Sequence, residues 1–311
     1  LTLNNIKRNC EALGHLMLAG RRSAKIIREF GPDIAIGTGG YVCGPVLRKA
    51  AQMGVPVLVH EANAFPGMTV KMLAHHCDCV MLAVEDAKKR ISADTEFVIT
   101  GNPVRAEVLE YDRARARKEL GIDNRPLIVS FGGSLGARTI NESMIDLLVR
   151  SANDGKYQHI HGYGKYGGFV LDELKERGVD LKKCPNLDVR EYITDMPRVM
   201  AAADLVICRS GAMALTEIQA LGKAAILIPS PNVAENHQYY NAMAMVNRGA
   251  AEIIVEKDIT PALLTEKADK LAGDRAKLAK MSRRAKKMAI LDSRERIFRV
   301  VCDTLKKHGK M

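Results

Sequence analysis

Short apolar segments alternate with helical segments along almost the whole chain, and glycine-rich turns join several of them. This alternation predicts parallel strands, because a parallel neighbour requires a crossover of a dozen or more residues, usually a helix. Four strands are predicted before Gly101 and six after it, so we expect an α/β fold with doubly wound parallel sheets. The predicted strands cover residues 33–36, 55–60, 77–82, 97–100, 127–130, 158–161, 187–191, 205–208, 225–229 and 252–255.

The segment GNPVR at residues 101–105 marks the junction between the two halves. Its proline, Pro103, disfavours helix at the residue before it, which suits a crossover between domains. We therefore predict a first domain over residues 1–104 and a second domain from residue 105. Residue 1 is Leu, and the first half has fewer predicted strands than the second, so we expect its opening units to lie upstream of this sequence.

The basic residues exceed the acidic ones, 47 against 36, and cluster at 21–28 and 275–287. Such clusters suit nucleic acid, anionic lipid, acidic metabolites or a solvated helix face. Aromatic residues make up only 5% of the chain and Trp is absent, so we expect no nucleic-acid partner, which would need stacking platforms. The first cluster follows the apolar segment 16–18, a pattern also typical of a peripheral membrane surface.

Two features bear on the cellular compartment. No apolar run reaches the roughly 20 residues that span a bilayer, and the first residues lack the features of a signal peptide. The seven cysteines are scattered and include no CxxC pair, which favours a reducing compartment over a disulfide framework. We expect a cytoplasmic protein without disulfides.

A glycine-rich turn, GTGGYVCGP at residues 37–45, follows the first predicted strand and opens a helix. Gly39 and Gly40, which precede Tyr41, would let backbone N–H groups approach an oxyanion or a sugar. Close packing of the helix on the strand is the alternative explanation.

The polar run His60, Glu61, Ala62 and Asn63 follows the next predicted strand. Ligands of parallel sheets bind at the carboxyl ends of strands, so this run is a candidate site, with an ordinary capped turn as the alternative. The nearby segment HHCDC at 75–79 contains metal-ligating residue types, but nothing in the sequence closes a tetrahedral set. We predict no metal site.

The segment SFGGSLGA, at residues 130–137, follows an apolar strand and opens a long helix. A helix N-terminus offers unpaired N–H groups and about half a positive charge, to which the hydroxyl of Ser134 adds a donor. We therefore predict a diphosphate-binding loop containing Gly132, Gly133 and Gly136.

Two later segments also follow strands. The segment GYGKYG at 162–167 has the GxGxxG spacing, but no acidic residue is suitably placed about 20 residues further on. We interpret it as a flexible loop rather than a dinucleotide site. In EYITDM, at 191–196, the N–H and C=O of Ile193 lie where a base could pair with the backbone.

The segment from Cys208 to Ala242 combines a strand, a tight turn, a helix that carries Glu217, a second strand and a polar loop that ends at Gln238. We expect Ser210 to cap the helix and Gly211 to permit close approach of a ligand. A carboxylate beside amides and an imidazole suits a sugar nucleotide.

The motifs GTGGYVCGP, HEANAFPG, GNPVR, SFGGSLGA, EYITDM, CRSGAMALTEIQALG and ENHQYYNA, in this order and at these spacings, resemble the MurG family of inverting N-acetylglucosaminyltransferases. The resemblance covers essentially the whole chain. It implies a GT-B fold, in which two Rossmann-like domains face a cleft. The second domain would then cover residues 105–288, and a C-terminal helix at 289–311 would return to the first domain.

The resemblance also implies a reaction. N-acetylglucosamine would move from UDP-N-acetylglucosamine (UDP-GlcNAc) to the C4 hydroxyl of N-acetylmuramic acid (MurNAc) in undecaprenyl-diphosphate-MurNAc-pentapeptide. This places the protein at the cytoplasmic face of the membrane, as a peripheral protein on an anionic lipid surface. The alternatives are another GT-B lipid glycosyltransferase, such as a diacylglycerol glycosyltransferase, and a non-catalytic sugar-nucleotide-binding fragment.

The resemblance assigns roles to individual residues. Glu217 would bind the ribose, Ile193 the uracil, and Ser134 with its loop the diphosphate. The family's first glycine-rich loop, which carries a His, is not in this sequence, so the bases left to consider are His60 and Glu61. The remaining implied residues are Arg105 at the donor phosphate or sugar, Asn63 and Gln238 at the GlcNAc hydroxyls, Ala212 and Thr216 beside the donor, and Gly39, Gly40 and Tyr41 on the acceptor side.

The sequence contains no Asp-x-Asp pair, the arrangement with which many glycosyltransferases hold a divalent cation. Loop N–H groups, Ser134 and Arg105 would then stabilise the departing diphosphate, since each well-placed donor contributes about 2.7 to 4 kcal/mol. We expect neither a metal nor another cofactor.

Overall fold

The computed structural model describes residues 6–311; in the first helix it describes the side chains of residue 15 and of residue 18 onward. The chain divides into two compact units, Leu1–Asn102 with Asp292–Met311, and Pro103–Leu291. Within the described residues, no helix is both long and apolar enough to cross a bilayer.

The strands and helices alternate as follows. The strands are β1 (Ala35–Gly37), β2 (Val57–Glu61), β3 (Cys79–Leu82), β4 (Glu96–Ile99), β5 (Leu127–Phe131), β6 (Gln158–Gly162), β7 (Leu187–Arg190), β8 (Leu205–Cys208), β9 (Ala224–Leu227) and β10 (Ala251–Ile253). The helices are α1 (Ile6–Phe30), α2 (Cys43–Gln52), α3 (Met68–Leu73), α4 (Ala106–Leu109), α5 (Arg113–Leu120), α6 (Arg138–Asp154), α7 (Phe169–Glu176), α8 (Met196–Ala202), α9 (Ala212–Leu221), α10 (His237–Val246), α11 (Pro261–Ala272), α12 (Arg275–Met288) and α13 (Ser293–Lys307).

The first unit contains a parallel sheet in the order β1-β2-β3-β4. Alternate residues of β2 point to opposite faces of the sheet. Val57 and Val59 pack with Leu47 of α2 in one core, whereas Leu58 packs with Ile297 of α13 in another. Both faces of the sheet are therefore covered, which explains why every residue of β2 and β3 is buried.

The second unit contains a parallel sheet in the order β10-β9-β8-β5-β6-β7. From β5 the chain builds outward through β6 and β7, and then returns to the other side of β5 to add β8, β9 and β10. The order of the strands thus reverses between β5 and β8. In open α/β sheets, ligands bind outside the carboxyl ends of the strands at such a switch point.

All ten predicted strands are confirmed, with bounds that differ by at most two residues. Several helices differ from the prediction. The two helices expected over residues 4–19 and 22–29 form one continuous helix, α1, in the described part of that region. The helix expected near residue 85 is a 3₁₀ segment, Glu85–Arg90. The units meet after Asn102 and after Leu291, while the predicted domains meet after residues 104 and 288.

Candidate functional site

The glycine-rich loop after β5 lies at the switch point of the second sheet. A Cβ atom at Gly132 would lie 2.3 Å from the backbone nitrogen of Ala137, and one at Gly136 would lie 2.3 Å from the carbonyl oxygen of Tyr163. Gly133 and Gly136 also have φ angles of +94° and +85°, which side-chain-bearing residues rarely adopt. The three glycines therefore let the chain turn tightly into α6 with its backbone exposed to a ligand.

The GYGKYG segment at 162–167 supports this loop from behind. The backbone N–H of Lys165 donates to the carbonyl oxygen of Ser134 at 3.1 Å. A Cβ atom at Gly164 would lie 2.1 Å from the backbone nitrogen of Gly136. The prediction of a flexible loop is therefore wrong, because this segment is hydrogen-bonded and closely packed against the loop after β5, and that packing explains its glycines.

Helix α6 begins at this loop and runs for 17 residues. Its N-cap residue, Ala137, makes no side-chain hydrogen bond to the helix, so the first turn of α6 is left without a side-chain cap. Ser134 is exposed on the loop that leads into it. Uncapped N–H groups, a helix dipole and an exposed hydroxyl together form an environment that suits a diphosphate.

The turn between β8 and α9 lies beside this loop at the switch point. The prediction that Ser210 caps α9 is wrong: Gly211 is the N-cap, and the buried Ser210 hydroxyl donates to the carbonyl oxygen of Gln238 at 2.8 Å. The side chain of Asn241, which the sequence reasoning missed, donates to the Ser210 carbonyl oxygen at 3.2 Å. These bonds connect the turn to α10, and only the ENHQYYNA motif hinted at them.

Glu217 and Arg105, predicted as two separate ligand contacts, form an ion pair. The Arg105 Nε and Nη2 atoms both donate to Glu217 Oε1, at 3.1 and 2.9 Å. The Glu217 side chain is 15% exposed and that of Arg105 is 55% exposed. Glu217 Oε2 has no hydrogen-bond partner among the described residues, which leaves it able to accept from a hydroxyl.

Ala212 and Thr216 lie on the same helix as Glu217. Ala212 is the first residue of α9, and the Thr216 hydroxyl donates to the Ala212 carbonyl oxygen at 2.9 Å. The helix thus presents its first turn and Glu217 at the same end of the sheet.

The polar loop before α10 holds Gln238 by its carboxamide. The backbone N–H of Ser230 donates to Gln238 Oε1 at 3.0 Å. This bond fixes the oxygen of the amide and leaves its nitrogen, Nε2, as the group that can donate to a ligand. Glu235 and Asn236 have positive φ angles, 54° and 49°. Side-chain-bearing residues in this conformation store strain and concentrate at ligand-binding segments.

Ile193 follows β7 at the edge of the site. Its side chain is buried, and a Cβ atom at Gly162 would approach its Cγ1 to 3.1 Å. Neither its backbone N–H nor its C=O has a hydrogen-bond partner within the described chain. This geometry is compatible with the predicted pairing to a base edge.

His60 and Glu61, the predicted bases, both make hydrogen bonds within the first unit. Glu61 is buried; its Oε1 accepts from the backbone and side-chain nitrogens of Asn63 at 2.9 and 3.0 Å, and its Oε2 accepts from the Gly67 N–H at 3.0 Å. His60 is also buried, and its Nε2 lies 2.9 Å from the Gly101 carbonyl oxygen. These bonds hold the loop after β2, and the role of either residue as a base stays a prediction.

The remaining predicted residues of the first unit lie at the carboxyl end of β1. Gly39 and Gly40 have φ angles of +89° and +78°, and Tyr41 is 87% exposed. Within the described residues, no three His, Cys, Asp or Glu side chains are grouped so as to hold a metal ion.

Two buried histidines on β6 lie behind the glycine-rich loop. His161 Nδ1 lies 2.7 Å from the Ser130 hydroxyl, and His159 Nε2 lies 2.9 Å from the Ser151 hydroxyl. Burial lowers the pKa of His159 to about 3 and that of His161 to about 4. Both imidazoles are therefore neutral at physiological pH.

These histidines predict a specific loss of stability in acid. In the unfolded chain they protonate near their usual pKa of about 6.5, so stability present above that pH is lost as the pH falls toward the folded-state values. Between the two pKa values, each histidine lowers the free energy of unfolding by about 1.4 kcal/mol for each pH unit of acidification. In urea unfolding between pH 7 and 4.5, His161→Gln should flatten the pH dependence, whereas His75→Gln, at an exposed position, should not. Equal slopes in the two variants would contradict this account.

Comparisons with known proteins identify the family of the chain. Residues 2–82 match the model of the glycosyltransferase family 28 N-terminal domain, and residues 127–297 match that of its C-terminal domain. The chain is 45% identical over 285 residues to the UDP-N-acetylglucosamine-N-acetylmuramyl-(pentapeptide) pyrophosphoryl-undecaprenol N-acetylglucosamine transferase of Acetivibrio thermocellus, covering 91% of this chain and 76% of the relative. The protein of the same name from Thermoanaerobacter sp. is 41% identical over 286 residues, which cover 92% and 78% of the two chains.

A solved structure supports the same assignment. The crystal structure of MurG from Acinetobacter baumannii matches with a TM-score of 0.76 at 27% identity, covering 93% of this chain and 78% of that one. The two parallel-sheet units thus have the GT-B fold class that the resemblance implied. The chain therefore belongs to glycosyltransferase family 28 and, within it, to the MurG family of N-acetylglucosaminyltransferases.

Proposed function

We propose that this chain transfers N-acetylglucosamine from UDP-GlcNAc to the C4 hydroxyl of MurNAc in an undecaprenyl-diphosphate-linked MurNAc-pentapeptide, with inversion at the sugar. The observation that carries the proposal is the glycine-rich loop at the switch point of the second sheet, in a chain 45% identical to a transferase named for these substrates.

The donor binds through its UDP portion in this proposal. The loop of Gly132, Gly133 and Gly136, with the Ser134 hydroxyl and the first turn of α6, holds the diphosphate. The backbone of Ile193 pairs with uracil, and Glu217 Oε2 accepts from a ribose hydroxyl. Gln238 offers its amide nitrogen to the sugar.

The ion pair between Arg105 and Glu217 couples two parts of the donor. When ribose hydroxyls bind the carboxylate, they compete with the guanidinium for Glu217 Oε1. Arg105, whose side chain is more than half exposed, can then turn toward the diphosphate. An arginine fork is well matched to phosphate oxygens, so ribose binding would help to bring a cation to the leaving group.

The chemical step releases UDP, and negative charge develops on its diphosphate. Backbone donors and a helix dipole act on such charge without reorganising, and each well-placed donor is worth about 2.7 to 4 kcal/mol in a dry site. Several loop N–H groups with Ser134 and Arg105 can therefore replace much of what a divalent cation supplies elsewhere. We propose that transfer is independent of metal.

A transfer assay tests the proposal directly. The purified chain should convert labelled UDP-GlcNAc and lipid-linked MurNAc-pentapeptide into lipid-linked disaccharide and UDP, and excess EDTA should change neither the rate nor the affinity for UDP-GlcNAc. Diacylglycerol, offered in parallel, should receive no sugar. Transfer only to diacylglycerol, or tight UDP-GlcNAc binding without transfer to either acceptor, would contradict the proposal and favour one of the two alternatives named above.

The first unit carries a surface suited to an anionic membrane. Met72 is 60% exposed, and it lines a groove of about 580 Å³ between α1, α2 and α3 together with Arg21, Arg28 and Arg48. An apolar face rimmed by cations is the usual form of a peripheral membrane surface. We propose that this face holds the protein at the cytoplasmic side of the membrane, where a lipid-linked acceptor resides.

Vesicle flotation tests this membrane face. The chain should bind vesicles that contain phosphatidylglycerol at low salt and should bind them less at high salt, because salt screens the charge attraction. Met72→Glu, at a groove position, should release the protein, whereas Phe298→Glu, at a 68% exposed position on α13, should not. Salt-insensitive binding, or equal losses in the two variants, would contradict the assignment.

A further inference from the structure

A second groove lies at the amino ends of the strands of the second unit, opposite the candidate donor site. Pro126, Asp204 and Lys223 each precede a strand, namely β5, β8 and β9, and all three line the groove. Helices α5 and α12 form its sides, and its volume is about 650 Å³. Because the strands are parallel, this groove and the loops after β5 and β8 lie at opposite edges of the same sheet.

The groove is strongly positive. Its lining includes Arg113, Arg117, Lys223 and Arg275 against a single carboxylate, that of Asp204. Arg113 Nη2 donates to Asp204 Oδ1 at 2.6 Å, and Arg117 Nη1 donates to Asp204 Oδ2 at 2.9 Å. Asp204 is thus already paired, and the lining keeps an excess of three positive charges.

Lys223 is the unusual member of this cluster, because it is only 5% exposed. Its Nζ donates to the carbonyl oxygens of Ala201 and Ala203 at 2.6 and 3.0 Å, and its third N–H has no acceptor within the described chain. Burial lowers its pKa to about 8; Asp204 acts in the opposite direction, and the nearby arginines add to the lowering. A buried cation among other cations is costly unless an anion compensates it.

Two of the three arginines can reach a ligand. Arg117 is buried and committed to Asp204 and to the backbone carbonyl oxygens of Ala202 and Arg125, so it shapes the floor. Arg275 is exposed on the first turn of α12, where its Nη2 makes only a long bond, 3.4 Å, to the Asn124 carbonyl oxygen. Arg113 is exposed as well and uses two of its three guanidinium nitrogens on Asp204.

We infer that this groove is a second anion site, which binds a phosphate or diphosphate group through Arg275, Arg113 and the spare N–H of Lys223. Guanidinium forks bind the oxygens of phosphates in pairs, and a buried ammonium supplies a point charge at the base of the groove. The site is separate from the proposed donor site, so it provides a place where a second phosphate-bearing molecule acts on this unit. The phosphate belongs either to a soluble metabolite or to a lipid headgroup.

Calorimetric titration with inorganic pyrophosphate tests the site. Wild type, Arg275→Glu and Arg283→Glu are compared, each with and without saturating UDP; Arg283 is an exposed arginine on the same helix that does not line the groove. We expect Arg275→Glu to weaken pyrophosphate binding by about tenfold or more, and Arg283→Glu to leave it nearly unchanged. The same difference should appear with UDP present, since the two sites are distinct.

Three outcomes would overturn the inference: no pyrophosphate binding in the wild type, equal losses in the two variants, or complete displacement of pyrophosphate by UDP. The proposed donor site is judged separately, by UDP binding alone, so the two proposals can fail independently. Thermal unfolding of each variant confirms that the fold is retained. Vesicles with and without phosphatidylglycerol then identify the source of the phosphate: flotation that depends on Arg275 indicates a lipid headgroup, and flotation that does not depend on it indicates a soluble phosphate.

Discussion

Replacing Glu217 with alanine is expected to weaken the binding of UDP and UDP-GlcNAc by about 10- to 150-fold, the effect of losing a hydrogen bond to a charged group. The carboxylate is held in place by Arg105 and keeps Oε2 available for a ribose hydroxyl. The ribose is common to both ligands, so both should lose affinity by a similar factor. Isothermal titration calorimetry measures the change.

Uridine separates a direct contact with the ribose from an effect through Arg105. If Glu217 binds the ribose, Glu217→Ala should weaken uridine binding at least as much as UDP binding, because the released Arg105 can contact a diphosphate but not uridine. If the variant acts only by releasing Arg105, uridine affinity should be retained, because uridine has no phosphate. Glu107→Ala, at an exposed glutamate two residues after Arg105, is the matched control and should bind UDP normally. Unchanged UDP affinity in Glu217→Ala would remove the residue from the site.

The second large effect is expected at Gly136. A Cβ atom there would lie 2.3 Å from the Tyr163 carbonyl oxygen, at a residue whose φ is +85°. The atoms that this Cβ would meet belong to the backbone of Tyr163 and Gly164 and not to a flexible side chain. The loop after β5 must therefore move away from the 162–167 segment. Gly136→Ala should therefore lower UDP affinity toward that of uridine, since the diphosphate contacts are lost while the nucleoside contacts remain.

The matched control for Gly136 is Gly168→Ala. Gly168 is exposed, has a φ of −55°, and would meet no atom within 4 Å through an added Cβ. This variant should bind UDP like the wild type, and circular dichroism should show that both variants fold. Ser134→Ala, which removes only the hydroxyl, should lower UDP affinity by a smaller factor than Gly136→Ala does. Wild-type UDP affinity in a folded Gly136→Ala protein would show that the loop does not hold the diphosphate.

The local pattern of the chain was sufficient to predict its strands and the glycine-rich turn after β5. Strands in parallel sheets are short, apolar and flanked by turns, and that signal is contained in a few neighbouring residues. The glycine-rich turn of Gly132, Gly133 and Gly136 between a strand and a helix is also a local signal, and its role at a diphosphate stays a prediction. Helix boundaries were less predictable: two helices were expected over residues 4–19 and 22–29, but one helix, α1, continues through Gly20, where a glycine costs only about 1 kcal/mol.

The hydrogen bonds that site side chains make were not predicted from the sequence. His60 and Glu61 have the residue types of acid-base catalysis, but whether a carboxylate is free depends on what surrounds it. Here Asn63 and Gly67 occupy both oxygens of Glu61. Likewise, the hydroxyl of Ser210 was expected to cap its own helix, but it bonds instead to Gln238, 28 positions away.

The amino-acid sequence by itself determined the fold class, the two-part organisation, the glycine-rich turn after β5 and the family, because each follows from local patterns or from motifs in order. Only the tertiary structure decided how the motifs cooperate. It paired Arg105 with Glu217 across 112 positions and turned the GYGKYG segment into the support of that glycine-rich turn. The physical reason is that hydrogen bonds and close packing act over a few ångströms in space, and the sequence does not state which distant residues the strand order brings within that range.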